Sequence, residues 1–220
     1  MKYTALIPVK TLAHAKSRLA AHLSPGQRAR LVLDMLQHVI QTLNESELFE
    51  RVYVVSADPQ VLELVQQWDA EPLREMRPGH NPALQSAAQT IHERAAWRHG
   101  LDGEILRDTF GLLTISADLP LITQADIAAL LAQAETSQIV LAGSSDGTGT
   151  NAVLMRPPLA LPYLFGPHSL PAYIQAARQR QLAYTRVENA HLALDIDTLD
   201  DLHTLEQHNC AWSGLAGLAI

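Results

Sequence analysis

Apolar residues fall along this chain in short runs that alternate with longer stretches of helical spacing. The short runs are rich in β-branched residues and are bounded by turn residues, which is typical of strands. They predict strands at residues 3–9, 51–56, 111–116, 138–142, 152–156, 183–187 and 192–197. Because residues 111–116 (GLLTIS) are almost continuously apolar, we expect that strand to be buried on both faces.

Between the strands, residues that cap helices precede apolar repeats. Ser24, Pro25 and Gln27 have the pattern of a capping box with proline at the first helical position. The apolar residues behind them recur at helical spacing, at Leu31, Val32, Met35, Leu36, Val39, Ile40 and Leu43. Similar patterns predict further helices at residues 58–68, 81–99, 123–133, 169–180 and 198–207.

Strands that alternate with helices in this way indicate βαβ units. We therefore expect an α/β fold, a three-layer αβα sandwich built on a mostly parallel mixed sheet. With 47% hydrophobic and 18% charged residues the chain can form a substantial core, and no linker, repeat or low-complexity tract interrupts it. The prediction is a single domain over residues 1–220, with ligands bound where the strands end.

Charge, cysteine usage and hydropathy exclude several classes of protein. A net charge of −7 argues against general affinity for nucleic acid or for an anionic membrane. Cys210 is the one cysteine, so no internal disulfide can form, which fits a reducing cytosol. There is no signal peptide and no run of about 18 apolar residues. We expect a cytoplasmic protein, whose oligomeric state the sequence does not determine; a homodimer is a guess.

Basic residues cluster between the first predicted strand and the first predicted helix. The chain has 13 arginines but three lysines, Lys2, Lys10 and Lys16, and Arg18 follows the last of them. A compact ammonium group on a loop suits phosphate oxygens. The loop is therefore a candidate to hold a triphosphate, and a solvated basic loop is the alternative.

Carboxylates follow two of the predicted strands. Asp118 comes directly after the fully apolar strand, and in an extended segment Asp195 and Asp197 would point to the same side while Ile196 points to the core. Two carboxylates on the same side of one segment repel each other unless a cation lies between them. Carboxylate oxygens are suitable ligands for Mg²⁺. The alternatives are that Asp118 caps the following turn and that Asp197 caps the next helix.

Two loops rich in small residues are candidates for binding an anionic substrate. In residues 144–151 (SSDGTGTN), Gly147 and Gly149 would let the backbone approach a ligand and leave amide groups free for an anion. Gly166 and Ser169 precede a predicted helix, where backbone amides suit a phosphate or carboxylate. An ordinary hairpin turn and a plain helix cap are the alternatives.

Motifs for other chemistries are absent. The ten histidines show no HxH or HExxH spacing, which does not favour a softer metal. There is no GxSxG, no GxxxxGK[ST] and no GxGxxG after the first strand. Serine hydrolase, P-loop and dinucleotide dehydrogenase functions therefore lose their main support.

Taken together, these segments resemble the CofC family, the 2-phospho-L-lactate or phosphoenolpyruvate guanylyltransferases of coenzyme F-420 biosynthesis. The resemblance covers almost the whole chain, and the combination of motifs is specific although each alone is not. The matching segments are IPVKTLAHAKSRL (7–19), VVSADP (54–59), HNPALQSA (80–87), SADLPLIT (116–123), DGTGTNAVLMRPP (146–158), FGPHSL (165–170) and ALDIDTLDDL (193–202).

The resemblance implies the nucleotidyltransferase fold of the glycosyltransferase-A type, which is Rossmann-like, and a guanylyl transfer from GTP. It implies that Mg²⁺ is held by three carboxylates, Asp118, Asp195 and Asp197. The basic residues that it implies over the triphosphate, with a catalytic role, are Lys10, Lys16 and Arg18. The residues that it implies at the phosphorylated acid are Thr150, Gly166 and Ser169.

Two further positions are carried over as substrate-binding, and two depart from the family's pattern. Asn81 is expected to face the nucleotide, and Gly149 belongs to the loop expected beside the substrate. His168 stands where the family usually has a small residue, which leaves the exact acid open. Residues 98–110 also fit the family pattern loosely.

The resemblance leaves alternatives for the function. One is another nucleotidyltransferase of the same fold, of the molybdenum-cofactor or sugar-phosphate type, and another is a non-catalytic GTP-binding module. A sensor has no need of a dedicated metal cluster, so the three aspartates favour an enzyme. The sequence does not distinguish 2-phospho-L-lactate, phosphoenolpyruvate and 3-phospho-D-glycerate as the acid.

Overall fold

A seven-stranded sheet forms the centre of the fold in the computed structural model, which describes residues 2–99 and 110–208. Cys210, the tail from residue 209 and most of the loosely matching stretch 98–110 lie outside the described residues. The strands are β1 Lys2–Val9, β2 Phe49–Ser56, β3 Glu71–Arg74, β4 Phe110–Ile115, β5 Ile139–Gly143, β6 Thr150–Met155 and β7 Tyr184–Val187.

The order of the strands is β3-β2-β1-β4-β6-β5-β7. Strand β1 pairs in parallel with both β2 and β4, β2 pairs in parallel with β3, and β5 pairs in parallel with β7. Strand β6 is antiparallel to its neighbours β4 and β5. The mostly parallel mixed sheet is therefore confirmed. The carboxyl ends of β1, β2, β3 and β4 meet at one edge, where the loops described below lie.

Helices connect most of the strands, and their starts follow the predicted caps. Ser24 with Gln27, Thr123 with Asp126 and Thr198 with Asp201 each form a complete capping box. The helices are α1 Pro25–Glu45, α2 Pro59–Gln66, α3 His80–His99, α4 Gln124–Ala132, α5 Ser169–Gln179, α6 Ala190–Ala193 and α7 Leu199–Gln207. None of those that the structure describes is long and apolar enough to cross a membrane.

Buried side chains fill both faces of the sheet and give the three expected layers. On one face, residues such as Ile7 and Val54 pack against α1, α2 and α4. On the other, residues such as Leu6 and Leu141 pack against α3 and α5. Each fully buried aliphatic side chain contributes roughly 1.5–3 kcal/mol through the hydrophobic effect. Strand β4 is buried along its whole length, as its apolar run predicts.

A third apolar cluster fastens the last described helix to the beginning of the chain. Leu202 and Leu205 of α7 pack with Leu31 and Met35 of α1. The other members lie in the loops on either side of this contact: Leu19, Leu23, Leu121, Leu194 and Ile196. This terminal cluster places residues 194–197 against the loop that follows β1, although almost the whole chain separates them.

Two elements of the structure, strand β3 and the short helix α6, were not predicted, and two predicted elements differ. Residues 192–197 do not form a strand. Instead, helix α6 ends at Ala193 and an irregular segment follows it. Side chains, and not a neighbouring strand, form hydrogen bonds with the backbone at residues 192 and 193. The Asn189 side chain accepts from the Leu192 N–H, and Asn151 donates to the carbonyls of Leu192 and Ala193. The helix predicted to Trp68 ends at Gln66.

Candidate active site

A cavity of about 410 Å³ opens at the carboxyl edge of the sheet, between the ends of β1 and β4. The loop after β1 forms one wall, and residues 116–118 after β4 form another. The basic residues Lys10, Lys16 and Arg18 line it together with Asp118 and Asp197. The structure thus brings together the cationic loop and two of the three predicted carboxylates. They meet at the carboxyl ends of the strands, where sheets of this kind bind their ligands.

The loop after β1 is held in a fixed conformation by buried apolar residues and one carboxylate. Its short 3₁₀ turns, Leu12–His14 and Ser17–Leu19, bury Leu12 and Leu19. The Leu12 N–H donates to Asp58 Oδ2 at 2.9 Å, and Asp58 also caps α2. Lys16 lies between the turns at φ 48°, a left-handed conformation unusual for lysine. This backbone turn directs the Lys16 side chain inward.

Lys16 is a buried cation with two anionic partners. Its Nζ donates to Asp118 Oδ2 and, at 3.0 Å, to Asp197 Oδ1, and its side chain is 7% exposed. Burial by itself lowers the pKa of the ammonium group, but the charges of Asp118 and Asp197 outweigh it and raise the pKa above its usual value. Lys16 therefore stays protonated. Arg18 is largely exposed and approaches Asp197 Oδ2 at 3.6 Å.

The three predicted metal ligands converge. Asp118, Asp195 and Asp197 each offer an oxygen within 4.8 Å of the other two. The Ile196 N–H donates to the Asp118 carbonyl at 3.2 Å, and Ile196 is fully buried, so its two neighbours both face Asp118. The shared orientation predicted for Asp195 and Asp197 is confirmed, although no strand produces it.

Asn151 holds Asp195 in this carboxylate cluster. The buried Asn151 Nδ2 donates to Asp195 Oδ1 at 3.0 Å, as well as to the two carbonyls at the end of α6. Burial and the negative charge of Asp118 raise the pKa of the Asp195 carboxyl to about 6. Sequence reasoning did not single out Asn151. The available signal was a polar residue directly before the apolar run predicted as a strand at residues 152–156.

Capping does not account for Asp118 or Asp197. The Asp118 carboxylate accepts from Lys16, and no turn amide of the described residues donates to it. The helix after Asp197 is capped by Thr198 and Asp201, and the Asp197 backbone N–H itself donates to Asp201. Both carboxylates are directed toward the cavity instead, as their place in its lining shows.

The donor set fits magnesium. All three converging groups are carboxylates, which are hard oxygen ligands, and no histidine or cysteine of the described chain belongs to the cluster. Mg²⁺ commonly takes one or two carboxylates and completes its shell with water and substrate phosphate. The adjoining cavity, with its basic wall, is where such a phosphate would lie.

A second group of predicted residues meets at the start of α5. Ser169 Oγ donates to Thr150 Oγ1 at 3.1 Å, and the Ser169 N–H donates to the Gly166 carbonyl at 3.1 Å. Both side chains are almost fully buried. Gly166 has φ 132°, which a residue with a Cβ adopts only with strain. The structure brings Thr150, Gly166 and Ser169 together, but none of them lines the cavity beside Lys16.

Asn81 fixes the loop that leads to this second group. Its Nδ2 donates to the Phe165 carbonyl, and its Oδ1 accepts from the Phe165 N–H, both at 2.9 Å. The neighbouring His80 ring packs edge-on against the Phe165 ring at 5.5 Å. Both groups of the Asn81 amide are therefore bonded to protein. Its contact with the nucleotide stays a prediction, and the structure gives it a role in positioning residues 165 and 166.

The glycine-rich loop is closed on itself. The Asp146 carboxylate accepts from the Ser144 hydroxyl and from the N–H groups of Thr148 and Gly149. These bonds lower the pKa of Asp146 well below its usual range, the Ser144 bond foremost. The prediction that the loop leaves its amides free for an anion is therefore wrong for Thr148 and Gly149. At Gly149 a Cβ would lie 2.5 Å from Ser144 Oγ, so this position requires glycine.

A second cavity, of about 340 Å³, adjoins the first and extends toward the ends of β2 and β3. Lys10, His14 and His80 belong to the linings of both. Sequence reasoning did not single out either histidine, although His14 and His80 lie in the matching segments 7–19 and 80–87. The two cavities share lining residues and together extend from the carboxylate cluster to Glu75, which follows β3.

The sequence matches the family model described as guanylyl transferase CofC like over residues 3–211. It is 41% identical over 207 residues to phosphoenolpyruvate guanylyltransferase of Rubrobacter xylanophilus, covering 94% of each chain. It is 33% identical over 210 residues to 2-phospho-L-lactate guanylyltransferase of Methanothermobacter thermautotrophicus, covering 94% of this chain and 86% of the other.

A solved structure supports the fold. A protein from Desulfovibrio desulfuricans described as a nucleotide-diphospho-sugar transferase superposes with a TM-score of 0.73. The superposition covers 100% of this chain and 92% of the other at 17% identity. At that identity the likeness concerns the fold alone. It confirms the expected three-layer α/β architecture.

Proposed function

The chain belongs to the family of CofC-like guanylyl transferases and is a guanylyltransferase, and from this premise we propose that it joins GMP from GTP to a small phosphorylated carboxylic acid. Phosphoenolpyruvate is the first acid to test, since the relative with 41% identity is named for it. 2-Phospho-L-lactate follows, because a relative with 33% identity is named for that acid. 3-Phospho-D-glycerate is the third candidate.

The observation that carries this proposal is the convergence of Asp118, Asp195 and Asp197 beside Lys16. A module that only binds a nucleotide has no need of three converging carboxylates. A nucleotidyltransferase does need them. They hold the cation that neutralises the negative charge building up on the phosphates during transfer. We propose that these carboxylates hold Mg²⁺, which when bound supplies charge neutralisation at the triphosphate.

The basic loop is proposed to hold the triphosphate and to orient it. Lys16 lies close enough to the carboxylates to contact a phosphate bound among them, and Lys10 lines both cavities. Arg18 is exposed at the rim, where its side chain can close over a bound phosphate. Preorganised cations of this kind stabilise the transition state without having to reorganise during the reaction.

The transfer requires no protein base. An oxygen of the acceptor's phosphate is already anionic near neutral pH and attacks the α-phosphorus of GTP. The bond to the β-phosphate oxygen breaks, and pyrophosphate leaves with the electron pair. The task of the protein is in-line positioning and neutralisation of charge. This agrees with a lining that offers cations and carboxylates around the reacting phosphates.

The acceptor is proposed to bind on the side of Thr150, Gly166 and Ser169. Thr150 is adjacent to Asn151, whose amide holds the metal-binding Asp195. The Thr150 and Ser169 hydroxyls are therefore connected to the carboxylate cluster through one residue of β6. Movement of the loop at residues 164–168 would give the acid access to these buried hydroxyls.

A direct assay tests the function. Pyrophosphate release should be much faster with GTP than with ATP, CTP or UTP, and should require one of the three acids together with Mg²⁺. Mass spectrometry of the product identifies the acid that has been joined to GMP. Faster turnover of ATP or CTP with every acid would contradict guanylyl transfer. Turnover of GTP with none of the acids would contradict the proposed class of acceptor.

Ser169→Ala and Thr150→Ala are expected to raise KM for the acid and leave KM for GTP nearly unchanged. A hydrogen bond from a neutral hydroxyl to a charged phosphate contributes roughly 1.5–3 kcal/mol, which is about a 10- to 100-fold change. Ser86→Ala is the matched control, because Ser86 is a half-buried serine of α3 whose hydroxyl has no hydrogen-bond partner among the described residues. If both variants raised KM for GTP and left KM for the acid unchanged, the acceptor would bind elsewhere.

A further inference from the structure

The second cavity contains an acidic group for which the transfer reaction gives no role. Its lining includes the apolar side chains Pro8, Val9, Val55, Ala57 and Ala83. Lys10, Thr11, His14, Gly79 and His80 complete it together with Glu75, the one carboxylate in that lining. An apolar pocket with a few polar groups is typical of a site for a flat organic ligand.

Glu75 is held in place by its backbone while its carboxylate stays available. It directly follows β3, and its N–H donates to the Ser56 carbonyl at the end of β2 at 2.9 Å. Ser56 in turn accepts the Asp58 N–H on its hydroxyl, so the ends of β2 and β3 and the start of α2 are joined. No described residue forms a hydrogen bond or ion pair with the Glu75 side chain.

The position of this cavity matches what a nucleotide needs. It shares Pro8, Val9, Lys10, His14 and His80 with the cavity that holds Lys16 and Asp118. A nucleoside triphosphate whose phosphates lie at Lys16 therefore directs its sugar past Lys10 and its base toward Glu75. The volume of about 340 Å³ lies in the range of small-ligand pockets.

The chemistry of a carboxylate selects among the bases. An ionised carboxylate is an acceptor at both oxygens and has no donor. On the Watson–Crick edge, guanine presents two adjacent donors, the N1–H and the 2-amino group. Adenine and cytosine each pair a donor with an acceptor there, and uracil places its one donor between two carbonyls. Two parallel charge-assisted hydrogen bonds to a carboxylate are therefore available to guanine alone among these four bases.

We propose that Glu75 reads the base of the nucleotide, accepting hydrogen bonds from N1–H and the 2-amino group of guanine. This inference rests on the proposed function, in which GTP is the donor. It assigns the preference for GTP to a single side chain at the end of β3. A site built to hydrogen-bond a substrate group rejects an analogue without it, because the buried partner is then left unpaired.

The test compares nucleotides that differ at the 2-position of the base. The wild-type protein should use inosine triphosphate, which lacks the 2-amino group, with kcat/KM about 10-fold or more below that for GTP. Glu75→Gln should lower kcat/KM for GTP about 10- to 100-fold, because its amide N–H₂ opposes the guanine donors. The same variant should gain activity with xanthosine triphosphate, whose 2-carbonyl accepts from that N–H₂. KM for the acid should stay nearly unchanged.

Glu63→Gln is the matched control, since Glu63 is exposed on α2 and outside both cavities. Unchanged ratios of GTP to inosine triphosphate and of GTP to xanthosine triphosphate in Glu75→Gln would overturn the proposal. If that variant did not fold, the wild-type comparison would still decide, because equal use of GTP and inosine triphosphate shows that the 2-amino group is not read. Wild-type inactivity with every nucleotide would instead count against the proposed function.

Discussion

Asp195→Asn is expected to lower kcat by about 10²- to 10³-fold, with the fold retained. The substitution keeps the shape of the side chain but removes the charge of one predicted Mg²⁺ ligand. Loss of about 3–4 kcal/mol of transition-state stabilisation corresponds to this decrease. Asp118→Asn should behave in the same way, because its carboxylate belongs to the same cluster. The measurement is pyrophosphate release at saturating GTP and acid over a range of Mg²⁺ concentrations.

Asp69→Asn is the matched control for the loss of one carboxylate. Asp69 is exposed in the connection between α2 and β3, away from the carboxyl edge of the sheet, and its φ of 58° is tolerated equally well by asparagine. Circular dichroism and thermal unfolding should show native structure in all three variants. Wild-type turnover by Asp195→Asn at limiting Mg²⁺ would mean that the carboxylate cluster does not hold the metal.

Lys16→Ala is expected to decrease kcat/KM for GTP by about 10²- to 10³-fold and to leave KM for the acid nearly unchanged. The ammonium group is preorganised at the predicted phosphate site, and removal of one such group typically has an effect of this size. Arg30→Gln, which removes an exposed cation of α1 that pairs with Asp34, is the control. A rise in KM for the acid alone would place Lys16 on the acceptor side.

The same variant has an expected effect on stability that does not depend on turnover. Without Lys16, the negative charges of Asp118, Asp195 and Asp197 face one another with the largely exposed Arg18 beside Asp197 as the remaining ion-pair partner described at the cluster. The Tm in EDTA should therefore fall below that of the wild type, and added Mg²⁺ should raise it by more than it raises the wild-type Tm. If Mg²⁺ left both values unchanged, these three carboxylates would not be its binding site.

Elements with strong local signals could be predicted from the sequence. Capping residues and apolar periodicity predicted six of the seven described helices, all except α6, and the fully apolar run predicted β4, because in these cases the local pattern and the final burial agree. Strand β3 has four residues, includes Pro72 and lies at the edge of the sheet, so it lacks alternation over a useful length. Its existence depends on pairing with β2, which a local pattern does not reveal.

The site residues divide in the same way, into features that a local pattern predicts and features that depend on tertiary packing. The shared orientation of Asp195 and Asp197 was predicted from the alternation of side chains in an extended segment, and the structure keeps it around the buried Ile196 although no strand forms there. The hydrogen bonds of Asp146 lie within its own loop. The hydrogen bonds of the Asn81 and Asn151 side-chain amides join segments that are far apart in the sequence. Such partners are set by tertiary packing, and composition does not specify them. The cytoplasmic location, the single domain and the homodimer stay predictions.

The terminal cluster has a consequence for how the enzyme matures during synthesis. Lys16 contacts Asp118 and Asp197 across sequence separations of 102 and 181 residues. Leu31 and Met35 of α1 are covered only when Leu202 and Leu205 of α7 pack against them. A nascent chain that has not reached residue 195 holds the cationic loop and one of the three carboxylates, while an apolar surface of α1 stays uncovered until α7 follows. Contacts of such long separation form slowly and late. Catalytic competence should therefore arise in one step, once residues 194–207 have been synthesised and have packed against α1, and not gradually as the sheet grows.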